Sequence, residues 1–502
     1  MLAMPSARLA PSRHQILHVS ARDLADPLPE SAMNPTATAG TACPDSQLMS
    51  RRYRAIWRWH FYAGLIVAPF LLILSLTGAI YLFNDELNDL TMPGLQFVAP
   101  GAQAMPPSHL IAAAVAAYPG TASRIDLPDA PNRPAKVYLR TKAGEPRQVM
   151  VDPATARVLG SFIYTRTLVG FADSMHGSLT LGDYGSVVVE LAACWALVLI
   201  TTGLILWWPR RRRSLAGVLW PRLRARGRLF WRDLHAVTGV WTVALIAFLL
   251  VTGLPWSIVQ GPLVRGAVTA LGIGNQAQRW GYSPPKSQPM GEALGRIGWS
   301  QAATPMPASD PAHAEHMPAI PADTPAAADP SAITGADAIA AKIAAGGFTG
   351  GYRLYLPAGP TGVYTALVSP GRPEAQWTRH FDRWTGTLIG ENDWSRYGIG
   401  SKAIELGVQI HMGRYFGRAN QLLMLVPCLA IVVLVVSGVA MWWRRRPSGK
   451  LAAPPAVSDA RLGVALAVLV VAGILMPMLG ASLIFVALID AVWRKGWDSN
   501  PR

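Results

Sequence analysis

Four histidines stand at matched spacings. His60 lies 18 residues before Gly78, and His235 lies 18 before Gly253; His176 lies 31 before Trp207, and His411 lies 31 before Trp442. Each sits at the end of a long apolar run, where an ionisable side chain is costly and usually kept for function. A neutral imidazole can offer the lone pair of one ring nitrogen to a metal while the other nitrogen donates a hydrogen bond. Two imidazoles facing each other at one depth supply both axial nitrogens of a haem iron. Pairing by depth joins His60 to His235 and His176 to His411, which gives two candidate haem sites with these residues as iron ligands. A helix of about 17 residues is roughly 26 Å long, so the two sites lie near opposite faces of a bilayer and form a wire across it. One such histidine would read as a boundary residue or a cap; four at equivalent positions favour the metal.

The elements that position them are apolar helices. Of the 502 residues, 51% are hydrophobic and 15% charged, against about 25% charged in soluble domains. A bilayer-spanning helix needs about 20 apolar residues, and four segments qualify, at 59–83, 186–208, 235–258 and 421–443. Arg51, Arg52, Arg54 and Arg58 precede the first, and Asp85, Glu86 and Asp89 follow it. The 209–234 loop carries nine arginines and one aspartate, and Arg444–Arg446 close the fourth span. These flanks place the N-terminus and the basic loop in the cytoplasm, and 85–185 and 259–418 outside. The net charge of +16 is therefore a topology signal, and nucleic acid is not an expected partner. Residues 1–50, rich in Pro, Ala, Ser and Thr, read as disordered, with Met33 and Met49 as alternative starts. A last apolar stretch, 461–493, is interrupted at Met476–Gly480 and reads as a short helical hairpin in preference to a single tilted helix, with 444–460 as a cytoplasmic loop.

The two outside segments read as small mixed α/β modules. Helices are expected at 108–119 and 336–345, and strands at 135–139, 148–151, 352–356 and 363–368. Residues 302–330, with His313, His316 and Met317, read as a flexible Pro/Ala-rich insertion. VDPATARVLG (151–160) aligns without gaps to FDRWTGTLIG (381–390). Each half thus runs from a His-bearing helix through an outside module and an outside His to a second helix, Trp-Trp and arginines. Both halves start inside, so the expected architecture is a membrane α-helical bundle with a tandem parallel repeat about an axis along the membrane normal.

Other residues take structural readings. Trp57, Trp59, Trp207, Trp208, Trp231, Trp442 and Trp443 form interfacial belts. Gly64, Gly78, Gly203, Gly239, Gly253 and Gly438 allow close helix approach and room for a flat macrocycle. Asp152 and Asp382 cap turns. Glu190 reads as a boundary residue in preference to a proton relay. His14, His18, His109 and His380 read as surface residues. Cys43, Cys194 and Cys428 form no disulfide framework. No dinucleotide fingerprint, P-loop, HExxH or nucleophile elbow is present.

The segment WRWHFYAGLIVAPFLLILSLTGAIYLFNDEL resembles the first helix of the PepSY-associated transmembrane family. WRDLHAVTGVW and the paired endings GLILWWPRRR and GVAMWWRRR fit it too. The outside modules resemble PepSY domains, including the turn at Asp382–Gly386; Ala156 stands where the first half would carry that glycine, which puts the same turn geometry in question there. The resemblance covers about residues 51–450. It implies a di-haem inner-membrane protein that reduces a ferric siderophore or another ferric chelate in the periplasm for iron uptake, with His60, His176, His235 and His411 holding two b-type haems. Hard oxygen ligands hold Fe(II) less well than Fe(III). No flavin or nicotinamide domain is present, so quinol or a cytoplasmic donor must supply the electrons. The alternative is a haem-free scaffold whose PepSY modules bind or regulate a periplasmic peptidase or another partner. A transporter is disfavoured by the little charge within the four main spans.

Overall fold

A computed structural model describes residues 44–101, 103–209, 215–274, 288–302, 304–310, 330–359, 361–446 and 470–498. Residues 1–43, His14, His18 and Cys43 among them, fall outside the described residues, as do His313, His316, Met317 and most of the 444–460 loop; residues 44–50, read with the disordered N-terminal segment, are instead the first turns of a helix. The helices are α1 (Pro44–Leu82), α2 (Asn84–Thr91), α3 (Pro93–Gln96), α4 (Pro107–Ala117), α5 (Leu168–Ser178), α6 (Gly182–Trp207) and α7 (Arg228–Gly253). They continue as α8 (Gln260–Ala270), α9 (Met290–Leu294), α10 (Trp299–Ala302), α11 (Pro330–Ala345), α12 (Ile399–His411), α13 (Arg418–Arg445) and α14 (Pro477–Asp498).

Four helical stretches are long and apolar enough to cross a membrane: Arg51–Leu82, Gly182–Trp207, Arg228–Trp256 and Arg418–Arg445. Their mean hydropathies run from 2.1 to 2.9. The shortest, of 26 residues, is about 39 Å long at about 1.5 Å per residue, enough for a hydrocarbon core of about 30 Å. The protein is a multi-pass membrane protein. The stretch after the fourth span breaks at Met476, between helical residues 470–475 and α14. The chain folds back there, because a Cβ on Gly473 would lie 3.0 Å from the Gly480 Cα. α14 rests on α6, where Leu479 meets Cys194 and Val198 and the Trp195 indole donates to Ser482 Oγ at 3.1 Å.

The segments between the spans supply β1 (Gly120–Asp126), β2 (Ala135–Thr141), β3 (Pro146–Val151), β4 (Val158–Phe162), β5 (Arg353–Tyr355), β6 (Tyr364–Val368), β7 (Trp377–Phe381) and β8 (Leu388–Asp393). All eight join one antiparallel sheet in the order β4-β3-β2-β1-β5-β6-β7-β8. The two segments meet at β1 and β5, with Ile125 opposite Leu354. One face alternates apolar residues such as Val137, Val149, Leu354 and Ala366 against Leu110 and Ile111 of α4 and Ile339 and Ile343 of α11. Each fully buried Leu or Ile there contributes about 1.5–3 kcal/mol. Ser108 of α4 donates to Asp337 of α11 from its backbone N–H at 2.8 Å and its hydroxyl at 2.5 Å, tying the two cover helices together.

Two expectations are corrected on the other face. His380 is not a surface residue: it is fully buried on β7, with its Nδ1 2.9 Å from Thr365 Oγ1, and burial pushes its pKa down to about 3. The cover is the 288–310 segment, whose Met290 and Ile297 pack on Tyr355 and Leu367. Part of the stretch read as a flexible insertion is therefore packed. Met306 rests against the same cluster, and Ser309 is buried with its N–H on the Thr361 carbonyl; 311–329 lies outside the described residues. His109 is exposed, as expected.

Asp152 and Asp382 do cap turns. Asp152 Oδ1 accepts the Ala154 N–H at 3.0 Å, and Asp382 Oδ1 accepts those of Trp384 and Thr385 at 2.9 Å. The alanine does not alter the first turn: Ala156 takes φ 55°, beside φ 62° for Gly386.

Candidate functional site

Each of the four histidines is held by the same five-residue cradle on a spanning helix. The pattern is Leu-x-x-Ser/Thr-Gly, at Leu74–Gly78 on α1, Leu199–Gly203 on α6, Leu249–Gly253 on α7 and Leu434–Gly438 on α13. His60, on α1, places Nδ1 2.9 Å from Thr202 Oγ1, beside the Leu199 carbonyl. His176, near the end of α5, places Nδ1 2.9 Å from the Leu74 carbonyl and 3.3 Å from Thr77 Oγ1. His235, on α7, places Nδ1 3.0 Å from the Leu434 carbonyl and 3.1 Å from Ser437 Oγ. His411, the last residue of α12, places Nδ1 2.9 Å from Thr252 Oγ1, beside the Leu249 carbonyl.

The cradles settle which ring nitrogen carries the proton. Thr77, Thr202 and Thr252 each donate their hydroxyl to the carbonyl four residues back at 2.7 Å. Ser437 donates to the Leu434 carbonyl at 3.1 Å. A hydroxyl whose hydrogen is already engaged can only accept, and a carbonyl only accepts. Nδ1 therefore donates in all four, and Nε2 keeps its lone pair. Among the described residues, no protein hydrogen bond engages any of the four Nε2 atoms.

The glycine closing each cradle makes room for the ring. A Cβ there would meet the imidazole Cε1 at 3.1 Å for Gly78 and His176, 3.3 Å for Gly203 and His60, and 3.6 Å for Gly253 with His411 and for Gly438 with His235. Gly64 and Gly239 instead face leucines of the cradles, Leu199 and Leu434, at 3.8 and 3.6 Å. The space expected for a macrocycle is thus first of all space for imidazoles.

The histidines meet in the expected pairs. The His60 and His235 rings lie 6.3 Å apart, centre to centre, with planes at 89°. His176 lies close enough to His411 for a charge on it to oppose one on His411. Burial, with His176 second, pushes the His411 pKa down to about 4, and burial lowers that of His176 too. Both rings are thus neutral near pH 7, the form that binds a metal. His60 and Thr77 are 17 residues apart on α1, and His235 and Thr252 are 17 apart on α7. The two pairs are therefore separated by roughly 26 Å along the helices.

Metal–nitrogen bonds to histidine are about 2 Å long. Two such bonds with two ring radii of about 1.2 Å span roughly 6.4 Å, which matches the His60–His235 separation. Among the described residues, no three or more His, Cys, Asp or Glu side chains gather to hold a bare metal ion; a haem asks for two. The residues present fit that group.

Neighbouring polar residues brace the pairs. Asp233, fully buried two residues before His235, accepts from Arg222 Nε at 2.6 Å and Arg232 Nη2 at 2.5 Å, anchoring the basic loop. The Trp207 and Trp241 indoles donate to the Val218 and Leu219 carbonyls of that loop at 2.9 and 2.8 Å. Glu190 is more than a boundary residue. Fully enclosed, it accepts the Val259 and Gln260 N–H groups at 2.8 and 3.0 Å and so caps α8 from the side of α6. Cys194 and Cys428 are buried free thiols.

The histidines were legible in the sequence; Thr77, Thr202, Thr252 and Ser437 were overlooked there. The fourfold Leu-x-x-Ser/Thr-Gly pattern was the signal that could have found them.

Spanning helices that each present a cradle to an imidazole, beneath one shared antiparallel sheet, define a membrane protein built to hold paired histidines. The chain belongs to the PepSY-associated TM region family, whose model matches residues 57–445. No curated protein matches the chain.

Proposed function

We propose that this protein binds two b-type haems, one between His60 and His235 and one between His176 and His411. In this reading it passes electrons across a bacterial inner membrane to a ferric siderophore or another ferric chelate. The observation that carries this reading is the set of four cradles. Each fixes Nδ1–H and leaves Nε2 free, the outer-contact arrangement that orients ligating histidines in metal sites. The 6.3 Å spacing of His60 and His235 supports it independently.

When bound, the haem supplies one-electron redox chemistry; the protein supplies orientation and surroundings. Each Nδ1–H donated to a carbonyl or hydroxyl raises the electron density that Nε2 can share with iron. The closing glycine leaves the space that the Cε1–Nδ1 edge of the imidazole takes up. Leu82, Met424 and Cys428 pack beside the cradle of His176 and keep water from that pair. The arginine flanks argue that the N-terminus and the basic loop face the cytoplasm and that the sheet faces the periplasm. The two halves then act as parallel repeats about the membrane normal, so the His60–His235 pair receives electrons from quinol or a cytoplasmic donor and the His176–His411 pair delivers them.

The test is the absorption spectrum of purified, dithionite-reduced protein. Two haems per chain in wild type and about one in His176→Ala or His235→Ala are expected. Wild-type protein that purifies without haem from haem-replete cells would overturn the reading and favour a haem-free scaffold for a periplasmic partner.

A further inference from the structure

A polar layer lies between the sheet and the helix that carries His411. α12 turns Ser401, Glu405 and Gln409 to one side at one-turn intervals, each at most 4% exposed. Against them stand Gln301 of α10, Gln376 just before β7, and Tyr397, all within 3% exposure. Three of these groups converge at one point. A Cβ on Gly298 would meet Gln376 Nε2 at 2.8 Å, Gln301 Oε1 at 3.1 Å and Glu405 Oε1 at 3.2 Å.

The layer is only partly paired. Glu405 Oε1 accepts the Ser300 N–H at 2.7 Å, and Gln301 Nε2 donates to Thr378 Oγ1 at 2.6 Å. Gln376 Nε2 and Gln409 Oε1 are buried with no protein partner, and the Tyr397 hydroxyl pairs with the Gln301 side chain. A buried polar group left dry is destabilising. An unpaired amide buried beside a carboxylate, as Gln376 Nε2 is beside Glu405 Oε1, is a usual setting of internal water, which makes about three hydrogen bonds per molecule.

We propose that this layer is a hydrated proton site, in which Glu405 takes up a proton when an electron reaches the His176–His411 pair. The inference rests on the redox reading above. Six residues separate Glu405 from His411, about 9 Å along the helix, near enough for one added electron to act on the carboxylate through the protein interior. The electron arrives from the His60–His235 side, and the proton arrives from water on the sheet side. The carboxylate becomes a carboxylic acid. When the electron passes to the ferric chelate, the proton leaves to the chelate oxygen that releases iron, or to bulk water.

The surroundings suit that exchange. Burial favours the neutral acid, opposed by the hydrogen bonds from Ser300. Of the packed elements, α8 and α10 bring Arg265, whose guanidinium is engaged by the Trp299 carbonyl at 3.0 Å and lies over the Trp299 ring. β7 brings His380, held neutral by burial, and the turn before α12 brings Tyr397 and Asp393. α7 and α13 bring Thr252 and Asn420, which do not titrate. Among the described residues, burial and the Ser300 hydrogen bonds are what act on Glu405.

The experiment is infrared difference spectroscopy on the purified full-length protein, with haem content read from the same samples. Reduction of wild type should produce a carboxylic C=O band and altered water O–H bands, and Glu405→Gln should lose the C=O band. The glutamine keeps an oxygen for the Ser300 N–H, and an unchanged melting temperature would verify its fold. One proton following one electron shifts a midpoint potential by about 59 mV per tenfold change in proton concentration. The sheet-side haem should approach that slope in wild type and lose it in the variant. Two haems with a reduction spectrum identical in wild type and Glu405→Gln would overturn this inference alone. Protein without haem would overturn the redox reading, and the coupling with it.

Discussion

The closing glycine of a cradle is the most direct place to test whether these helices are built around imidazoles. Replacing Gly78 by alanine would put a Cβ 3.1 Å from Cε1 and 3.4 Å from Nδ1 of His176. The ring must then yield by a few tenths of an ångström. Its bond to the Leu74 carbonyl, at 2.9 Å, can absorb that; its bond to Thr77 Oγ1, already 3.3 Å, cannot. Losing one such bond costs about 1 kcal/mol, close to a fivefold weakening of haem binding at that pair. Alanine for glycine within a helix stabilises the helix itself by about 1 kcal/mol.

The expected signature is therefore split: weaker haem retention with a melting temperature unchanged or raised. The measurement is haem loss to a competing acceptor, followed by absorption, beside a thermal melt. The contact distances set an order. Gly78→Ala should cost most, Gly203→Ala less at 3.3 Å, and Gly253→Ala and Gly438→Ala least at 3.6 Å. Gly64→Ala, which meets only a leucine methyl at 3.8 Å, is the control. Gly78→Leu should expel the ring and remove about half the haem, as axial ligation predicts. If Gly64→Ala cost as much haem as Gly78→Ala, or Gly78→Leu kept both haems, the cradle argument would fail.

His411→Ala should lose about half the haem and nearly all ferric-chelate reduction in membrane vesicles; full reductase activity in that variant would sink the series-wire mechanism. Ala156→Gly should raise the melting temperature, because φ 55° costs an alanine about 1–2 kcal/mol, partly offset by the freer unfolded chain; a lowered melting point refutes the strain. Glu190→Ala strands two part-buried N–H groups at the start of α8 and should destabilise by about 1 kcal/mol, read as faster proteolysis near α8. Reporter fusions at Pro131 and Gly359 should be active in the periplasm and one at Ala225 inactive; periplasmic activity at Ala225 would reverse the orientation.

The four spans were legible because composition and arginine flanks are one-dimensional signals, and the structure's helices fall where hydropathy put them. The depth pairing of His60 with His235 followed from spacing alone. The single sheet was not legible, because the junction of β1 with β5 joins strands more than 200 residues apart, and no local pattern encodes such a partner. His380 was misread because its cover comes from the 288–310 segment, whose Pro/Ala-rich continuation hid Met290, Ile297 and Met306. Ala156 misled because glycine is the cheap way to a left-handed turn, and the Asp152 side chain, holding the Ala154 N–H and the Thr155 hydroxyl, favours the same turn without one. The cradle threonines were overlooked because Ser and Thr in a spanning helix usually satisfy only their own backbone. These do that as well, and it is what turns each hydroxyl into an acceptor.

The cradles also divide the labour between the two halves of the chain. His60 is held by α6 and His176 by α1, both in the first half; His235 is held by α13 and His411 by α7, both in the second. Orientation of every imidazole is thus internal to its own half. Pairing is not: the ring that faces His60 is His235, and the one whose charge bears on His411 is His176. A half on its own could fix its tautomers yet present each Nε2 to nothing. The interface between the halves, in the bundle and at the β1–β5 junction of the sheet, is what brings four oriented imidazoles into two pairs. Substitutions at that interface should therefore weaken both haems together, whereas a substitution within one cradle should weaken the haem at one pair.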